Sequence, residues 1–575
     1  MNRRTFFQIS ISLRSTPLKW LLLIGISLPL LAIGCSKIFV NVVTSQGGGF
    51  YGYNCPMAFV QNKSGLSYGP SGQVPYGMTF SATNLPVGLS INPTTGIISG
   101  TPTSTTNGPN NFFINITGGN QYGGMGNQNV TIEVAPIGYI VNDFTSDANQ
   151  LTVGTQTCTS TNGTCTLRAA IQELNYDLPH FVYNNGLVIL PQGQTMIISP
   201  PTSISTNIDF YGTCGSGGGG AGNNGGSIVD GSQGFQVFTI SGGNVGFYNL
   251  TIQNGQTVVA GAGISAIGAL SVNLQSVTVQ NNRLTGAVTD NGAGLYVTNG
   301  PSQSIVNVWN SLFQSNQSVG TAGSGGAIYV VTNNASTPAV NISNSEFISN
   351  QAASAGAISM SGQGNLQVSN SYFGNNSATT PGGYGGAIGL TGTAGPPLYQ
   401  IWNNTFYQNA VTTGAGLGGA IYLGSSGLLY LYNNTISQSQ VQMASGFGGA
   451  LYVGGGESAF YVNNIFNQNT VAGVVSTCAA AGVLTSLGNN IYEDTSCNPA
   501  GDFAGSALLN PPTNNFWQTP MMVPQTGSLA IGNGSMVSCM SFPVNGTDQN
   551  HDPRGLNNRC NIGAYEAPPN YQSGH

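Results

Sequence analysis

Apolar residues recur at a fixed spacing along the middle of the chain, each at the end of a short motif rich in glycine and alanine. Seven copies of this motif are separated by 31, 33, 30, 30, 33 and 30 residues. The aligned apolar residues are Ile264, Leu295, Ile328, Ile358, Ile388, Ile421 and Leu451. A nearly constant period of this length predicts one structural unit that is stacked many times.

A second apolar position follows at the same period, inside stretches that begin with Asn-Ser or Asn-Asn. It is occupied by Phe313, Phe347, Phe373, Phe406, Ile436 and Phe466. Before each stretch, an apolar residue such as Ile401 is followed by a residue that should point outward, such as Trp402. Alternation at period two is typical of strands with one buried face. The abundance of Gly, Asn, Ser and Thr argues against helical repeats.

These features predict a parallel β-helix in which each coil contains three short strands. A propeller blade needs about 40–50 residues, and leucine-rich repeats are shorter and dominated by Leu. In a β-helix, equivalent residues of successive coils stack about 4.8 Å apart, so the Ile and Phe columns should fill the interior. We expect columns of Asn at the turns to pass amide hydrogen bonds from coil to coil.

The residues that follow the inward Ile and Leu of the glycine-rich motif should point outward. This column reads Ser265, Tyr296, Tyr329, Ser359, Gly389, Tyr422 and Tyr452. It places two pairs of Tyr on adjacent coils, and Trp402 with Tyr432 forms another outward pair. Exposed aromatic rows can stack on sugar rings or bury against a partner, which makes these six aromatic residues the candidate binding surface. The alternative is that they pack only on their cross-coil neighbours.

Charged residues are scarce: the 575 residues include 10 Lys and Arg and 16 Asp and Glu, far below the usual share of about 25%. The net charge is −6, and no basic patch exists to bind phosphates, so nucleic acid is not an expected partner. Residues 231–480 contain Arg283, Asp290, Glu346 and Glu457 as their only charged residues. The three acids occupy different phases of the repeat, so stacking does not bring them together.

Polysaccharide cleavage would need more charge than this. Hydrolysis uses two carboxyl groups about 5–10 Å apart, and lyase chemistry uses a base with a cation. The three His residues are scattered along the chain. We therefore predict no catalytic residue, no metal site and no cofactor. An enzyme whose acids lie in the end caps or long loops remains the alternative.

The N-terminal segment has the composition of a targeting signal. Basic residues precede an apolar stretch from Leu21 to Gly34, whose 14 residues are few for a membrane span. The stretch runs into Leu31-Ala-Ile-Gly-Cys35, which resembles a bacterial lipobox and implies that Cys35 is lipidated. The resemblance predicts a signal peptide over 1–34 and a lipidated tether over 35–51. Because Ser rather than Asp follows Cys35, it favours the outer membrane; an uncleaved signal anchor is the alternative.

The cysteine count agrees with an oxidising compartment. Nine Cys minus the lipidated Cys35 leave eight, an even number that suits disulfides. The plausible local pairs are Cys158 with Cys165, Cys478 with Cys497, and Cys539 with Cys560. The pairing of Cys55 and Cys214 stays open.

Residues 52–135 have the sequence pattern of a small β-sandwich, because short apolar pairs are separated by turns centred on Pro and Gly. The stretch from Leu85 to Pro102 reads LPVGLSINPTTGIISGTP. It resembles the immunoglobulin-like domain of bacterial surface proteins. The resemblance implies a spacer or adhesive module and no chemistry.

The remaining chain divides into a capped β-helix. Residues 137–245 would form the N-terminal cap and first coils, since Cys165–Ile171 resembles the CSLREAI-type motif and Leu167, Ala170, Ile171 and Leu174 have helical spacing. Residues 246–500 would form the regular coils, 501–567 a C-terminal cap and 568–575 a tail. The segment from Asp552 to Glu566 resembles the end of choice-of-anchor Q domains. Its charged residues are interpreted as an ion-paired cap rather than a catalytic cluster.

The predicted fold class is all-β: a small Ig-like β-sandwich followed by a right-handed parallel β-helix with N- and C-terminal caps. The right hand comes from resemblance to the pectate-lyase-like fold. We expect a non-enzymatic lipoprotein of the bacterial cell envelope, held to the membrane through Cys35. It would serve adhesion or the recognition of a glycan or a surface protein, and a location facing the periplasm stays open. The alternatives are a polysaccharide lyase or glycoside hydrolase, and a purely structural envelope protein.

Overall fold

The chain forms two compact units, Met1–Gly138 with Thr213–Gly218, and Tyr139–Gly212 with Gly219–His575. Each unit is described by itself, from a computed structural model. The structure describes residues 53, 56–70, 77–106, 108–118, 126–213, 226–286, 291–298, 304–332, 338–392, 397–425, 427–497, 501–513, 519–555 and 558–566. The predicted signal peptide, Cys35, Cys55 and Cys214 lie outside the described residues.

The first unit contains two small sheets around an apolar core. The larger sheet has the order Met57–Val60, Gly126–Ala135, Asn110–Gly118 and Met78–Thr83. The smaller sheet has the order Ser67–Tyr68, Ile98–Gly100 and Leu89–Ile91. Buried residues of both sheets, among them Phe59, Phe80, Ile98 and Ile132, pack together. The predicted Ig-like sandwich is confirmed.

The second unit is a right-handed β-solenoid of about 9 turns, as predicted. Its described residues form four long sheets, which we call A to D in the order in which one coil visits them. Sheet A contains Ser203–Ile204, Phe238–Ile240, Ile264–Ile267, Leu295–Thr298, Ile328–Thr332, Ile358–Gly362, Ile388–Gly392, Ile421–Ser425, Leu451–Val453 and Cys478–Ala480. Sheet B contains Ile137–Ile140, Gly186–Leu190, Ile208–Gly212, Asn244–Tyr248, Ser271–Gln275, Ile305–Trp309, Pro338–Ser343, Asn365–Ser369, Leu398–Trp402, Leu428–Tyr432, Ser458–Val462 and Val483–Ser486.

The other two sheets complete each coil. Sheet C contains Thr195–Ile197, Ser227–Asp230, Leu250–Gln253, Thr278–Gln280, Leu312–Gln314, Glu346–Ile348, Tyr372–Gly374, Thr405–Tyr407, Thr435–Ser437, Ile465–Asn467, Ile491–Tyr492 and Phe503–Ala504. Sheet D contains Gln256–Thr257, Arg283–Leu284, Gln317–Ser318, Gln351–Ala352, Ser377–Ala378, Ala410–Val411, Gln440–Val441, Thr470–Val471 and Val474–Val475. A regular coil therefore has four strands, where the sequence predicted three. The two-residue strands of sheet D are too short to show an alternating pattern.

Columns of apolar residues fill the interior, as predicted. The inward residues of sheet A pair in register from coil to coil, for example Ile328 with Ile358 and Ile358 with Ile388. The rings of Phe313, Phe347, Phe373 and Phe406 stack at centroid distances of 5.1, 4.8 and 4.7 Å. These distances match the spacing of neighbouring strands, so the stacking follows directly from the parallel register.

Buried Asn side chains form the predicted ladders. One runs along the corner between sheets C and D, where each Nδ2 donates to the next Oδ1 at 2.9–3.0 Å; its members are Asn282, Asn316, Asn350, Asn376 and Asn409. A second, at the corner between sheets B and C, links Asn404, Asn434, Asn464 and Asn490 at 3.0, 3.0 and 3.2 Å. Every rung satisfies groups that would otherwise be buried without a partner.

A helix closes the N-terminal end of the solenoid. Helix α1, Leu167–Phe181, begins at Thr166, whose side chain accepts a hydrogen bond from the amide of Ala169. Its buried face lies on Gly186–Leu190, where a side chain at Gly186 would collide with Leu174. Ala169 occupies the position where the CSLREAI-type motif has Glu, and Arg168 forms its ion pair with Asp147 instead. The predicted amphipathic cap is present.

The C-terminal region closes the last coil, because Ala507, Ala530 and Ile562 pack with Ile465 and Ile491. Residues 519–555 and 558–566, which we call the C-terminal strap, also run along the corner between sheets B and C, which the sequence did not predict. The strap includes a short helix α2, Met536–Met540. The sequence missed this because a segment lying against a flank has no periodicity of its own.

A column of Asn residues holds the strap. Asn344, Asn370, Asn403, Asn433 and Asn463 come from five coils and have positive φ values of 49° to 58°. His551 contacts Asn344 at 2.9 Å, Asn403 donates to the carbonyl of Thr547 at 2.8 Å, and Asn463 accepts from the amide of Ser535 at 2.7 Å. In the Asn-Asn pairs, the first residue thus binds the strap and the second builds the inner ladder.

The three predicted local disulfides are present: Cys158 with Cys165, Cys478 with Cys497, and Cys539 with Cys560. The last of them ties helix α2 to the end of the strap. Across the described residues, no helix is both long and apolar enough to cross a membrane.

Candidate functional site

The outer face of sheet A carries the predicted tyrosine column. Its register is continuous from coil to coil. The residues that pair in turn are Tyr296, Tyr329, Ser359, Gly389, Tyr422 and Tyr452. The rings of Tyr296 and Tyr329 stack at 5.8 Å, and those of Tyr422 and Tyr452 at 5.7 Å. All four tyrosines are half-buried. The two predicted pairs therefore exist as stacked rings on the solenoid surface.

A fifth tyrosine, absent from the predicted set, fills the gap between the two pairs. Tyr384 comes from the turn before sheet A, and its ring lies 4.4 Å from that of Tyr422. A side chain at Gly389 would collide with Tyr384, at 2.9 Å from its ring. The small residues in the column thus make room for Tyr384 rather than interrupt the aromatic surface. We call Tyr296, Tyr329, Tyr384, Tyr422 and Tyr452 the tyrosine strip.

Two members of the tyrosine strip, Tyr329 and Tyr422, have raised pKa values. Burial raises the pKa of Tyr329, and the neighbouring Tyr296 and Tyr384 raise it further. Burial likewise raises the pKa of Tyr422, with contributions from Tyr384 and Tyr452. Both phenols therefore stay protonated and keep their hydroxyl donors. The strip spans the coils from Tyr296 to Tyr452, a length of about 24 Å at the strand spacing of a sheet.

Trp402 and Tyr432 lie on a different face, the outer side of sheet B. They pair in register on adjacent coils, and both are half-buried. Tyr432 lies beside Tyr430, with ring centroids 6.1 Å apart, and Tyr430 stacks on Phe460 at 5.2 Å. The structure therefore divides the six predicted aromatic residues between two sheets and adds Tyr430 and Phe460. Both residues could have been found in the sequence, because residues two positions apart along a strand point to the same face.

The two described acids within residues 231–480 lie in different parts of the coil. Glu346 lies on the outer face of sheet C, where burial raises its pKa to about 7. Glu457 lies in the turn between sheets A and B and accepts a hydrogen bond from the amide of Gly427 at 2.5 Å. Asp290 lies outside the described residues. Among the described residues, no three His, Cys, Asp or Glu side chains come close enough to hold a metal ion.

The charged residues near the C-terminus serve the strap. Arg554 is fully buried and pairs with Glu566 at 3.3 Å. Its guanidinium also donates to the carbonyls of Thr547 and Gly563 at 2.9 and 2.8 Å, and to Oδ1 of Asn403 at 3.1 Å. These contacts saturate the guanidinium, which leaves no free charge for a substrate. The arrangement supports the interpretation of this cluster as structural.

Comparisons with known proteins bear on the first unit. The family model described as "Putative Ig domain" matches residues 51–135, which agrees with the two sheets found there. No curated protein matches the chain. Among solved structures, it is similar to a "putative alpha-galactosidase" from Bacteroides fragilis, at 19% identity and a TM-score of 0.13, over 25% of this chain and 28% of that chain. A likeness of this size carries no argument about function, so the matched family accounts for residues 51–135 alone.

Proposed function

We propose that this chain is a non-enzymatic lipoprotein of the bacterial cell surface that uses its β-helix for adhesion or recognition. The tyrosine strip is the observation that carries the proposal. Four tyrosines from one position of the repeat and Tyr384 from the preceding turn lie together on one face, and aromatic residues are enriched where proteins bind partners. If the tyrosines served only to pack the column on sheet A, a further tyrosine from the preceding turn, Tyr384, would not be needed.

The rest of the molecule supports this function. The Ig-like unit is a type of spacer, and the disulfides agree with an oxidising compartment. The lipobox resemblance at Cys35 supplies a membrane anchor and points to the outer membrane. The saturated contacts of Arg554 and the separated positions of Glu346 and Glu457 offer no paired carboxylates for hydrolysis.

Adhesion of cells that display the full chain tests the proposal. Surfaces coated with host glycans or with host surface proteins would be compared for wild type and for the double variant Tyr422→Ala/Tyr452→Ala. We expect the variant to lose at least about 90% of adhesion, since a loss of 1.4 kcal/mol already corresponds to tenfold. Tyr407→Ala, which removes a half-buried tyrosine from sheet C, is the matched control and should adhere normally.

The opposite results are equally clear. Equal adhesion of wild type and double variant, at equal melting temperature, would exclude the tyrosine strip as the binding surface. Release of soluble sugars from the coated glycan by the purified chain would instead indicate an enzyme.

A further inference from the structure

We infer that the outer face of sheet B binds a neutral, extended polysaccharide along the axis of the solenoid. This inference rests on the proposed function, which displays the chain at the cell surface. It adds a second binding surface and names one class of ligand. It is carried by a row of side-chain amides that continues into a cluster of aromatic rings, on a face whose strands carry no basic residue.

The amide row occupies one outward column of sheet B. Asn307 donates to Asn273 at 2.8 Å and Asn341 donates to Asn307 at 3.0 Å. In the next coils, Gln367 donates to Gln400 at 3.1 Å. Each such contact uses one N–H and one carbonyl lone pair, whereas a side-chain amide has two of each. The row therefore presents further donors and acceptors at a fixed spacing, which suits the hydroxyl groups of a sugar chain.

The aromatic cluster continues the same column. Gln400 pairs in register with Tyr430, and Tyr430 with Phe460. Trp402 and Tyr432 lie in the adjacent outward column, two residues further along the strands. The rings of Tyr430 and Tyr432 are nearly parallel, at 4°. Apolar ring surface next to amide groups matches a sugar, which has C–H faces bordered by hydroxyls.

The absence of basic residues selects among polysaccharides. The strands of sheet B contain no Lys, Arg or His, and their one acid, Asp209, stands in the same outward column as Asn273, two coils earlier. Glu457 and Arg554, which lie near this face, are both buried, and the exposed His551 of the strap contacts Asn344 and Asn370 at the ends of two strands. A polyanionic chain would find no Lys or Arg on these strands to offset the cost of losing water around its carboxylates. A neutral chain has no such cost.

The dimensions also suit a polymer. From Asn273 to Phe460 the column crosses six intervals between coils, a length of about 29 Å at the strand spacing. One short sugar would use only part of this surface, whereas an extended chain can contact the amide row and the aromatic cluster together. Weak contacts repeated along a fixed axis then add up.

Affinity electrophoresis of the purified full chain tests the inference. The gels would contain hydroxyethylcellulose, laminarin or galactomannan as neutral probes, and polygalacturonate as the acidic probe. We expect at least one neutral polysaccharide to retard the chain and polygalacturonate to leave it unretarded. The double variant Trp402→Ala/Tyr430→Ala should bind at least about tenfold more weakly, which corresponds to 1.4 kcal/mol. Gln400→Ala, which leaves the rings in place, should weaken binding by a smaller factor.

Tyr407→Ala, which removes a half-buried tyrosine from sheet C, is the matched control and should be retarded like wild type. The inference is overturned if no neutral probe retards the chain, if polygalacturonate retards it as strongly, or if the sheet B variants keep full retardation at an unchanged melting temperature. A failure of this kind leaves the adhesion assay on the tyrosine strip untouched. Conversely, normal adhesion of the Tyr422→Ala/Tyr452→Ala variant would refute the proposed function while retardation by sheet B persists.

Discussion

Single residues in this solenoid are constrained by the column in which they stand. Glu346 illustrates this, because its column on sheet C otherwise holds Leu312, Tyr372 and Thr405. Glu346 is 6% exposed, and burial alone raises the pKa of its carboxyl group. An acid in this position costs stability whenever it is ionised.

The pH dependence of stability should reveal this cost. The pKa of Glu346 is 4.5 in an unperturbed carboxyl group and about 7 in the folded chain. Below pH 4.5 the group is protonated in both states, and between the two values only the folded state keeps the proton. The folded state is therefore favoured at low pH and loses about 3 kcal/mol as the pH rises from 4.5 through 7. Urea unfolding of Glu346→Gln and wild type should diverge in this direction, with the variant more stable at about pH 8.

Glu493→Gln is the control for this comparison, since it removes a carboxylate that accepts a hydrogen bond from the amide of Gln468. Subtracting the control corrects for general effects of pH. A difference between Glu346→Gln and wild type that stays constant from about pH 5 to 8 would refute the assignment of a raised pKa to Glu346.

Residues at the tyrosine strip show what a sequence pattern reveals and what it omits. The register of Tyr296, Tyr329, Tyr422 and Tyr452 could be predicted because parallel stacking converts a fixed period into a spatial column. Tyr384 could not, because it stands in a turn whose path depends on packing. Its only signal in the sequence is the presence of two small residues, Ser359 and Gly389, in the tyrosine column, which indicates only a gap until the path of the turn is known.

At the scale of elements, the Asn ladders hold successive coils in register. Asn350 donates to the carbonyl of Phe313 at 2.9 Å and to Asn376 at 3.0 Å, and it accepts from the amide and the side chain of Asn316 at 3.1 and 3.0 Å. The ladders were predictable from the repeated Asn. The division of each Asn-Asn pair between an inner ladder and the strap was not, because it depends on a left-handed turn between sheets B and C.

Removing one rung should destabilise the solenoid measurably. Asn350→Ala leaves several buried partners without hydrogen bonds, so we expect a loss of about 3 kcal/mol in the free energy of unfolding. Gln351→Ala, one residue further and half-buried, should cost less than about 1 kcal/mol. Urea denaturation of both variants checks this, and equal losses would show that the ladder contributes no more than an ordinary polar side chain.

The C-terminal strap depends on one buried ion pair. Arg554→Ala removes the guanidinium that pairs with the buried carboxylate of Glu566, and breaking such a pair costs about 3–5 kcal/mol. We expect faster hydrogen exchange over residues 535–566 while the inner columns of the solenoid keep their protection. Arg559→Ala removes an exposed guanidinium from the same segment and should change little. Exchange that rises equally throughout the solenoid would mean that the strap is not a separate element.

At the scale of the whole molecule, the fold class followed from periodicity, whereas the arrangement of its termini did not. The repeat specified stacked coils because each coil can bury its apolar residues only against its neighbours. The strap and the four-stranded coil depend on contacts between segments far apart in sequence. The candidate binding surfaces show the same difference. Periodicity predicted which residues point outward, and packing determined which of them lie together as a surface.

Hydroxyl-radical footprinting of the full chain, free and bound to the surface on which it adheres, tests the central claim most directly. If the tyrosine strip is the binding surface, Tyr329, Tyr384 and Tyr422 lose reactivity on binding. Tyr176, which is 36% exposed on helix α1, should keep its reactivity. Unchanged reactivity of the three strip tyrosines in the bound state would contradict the account.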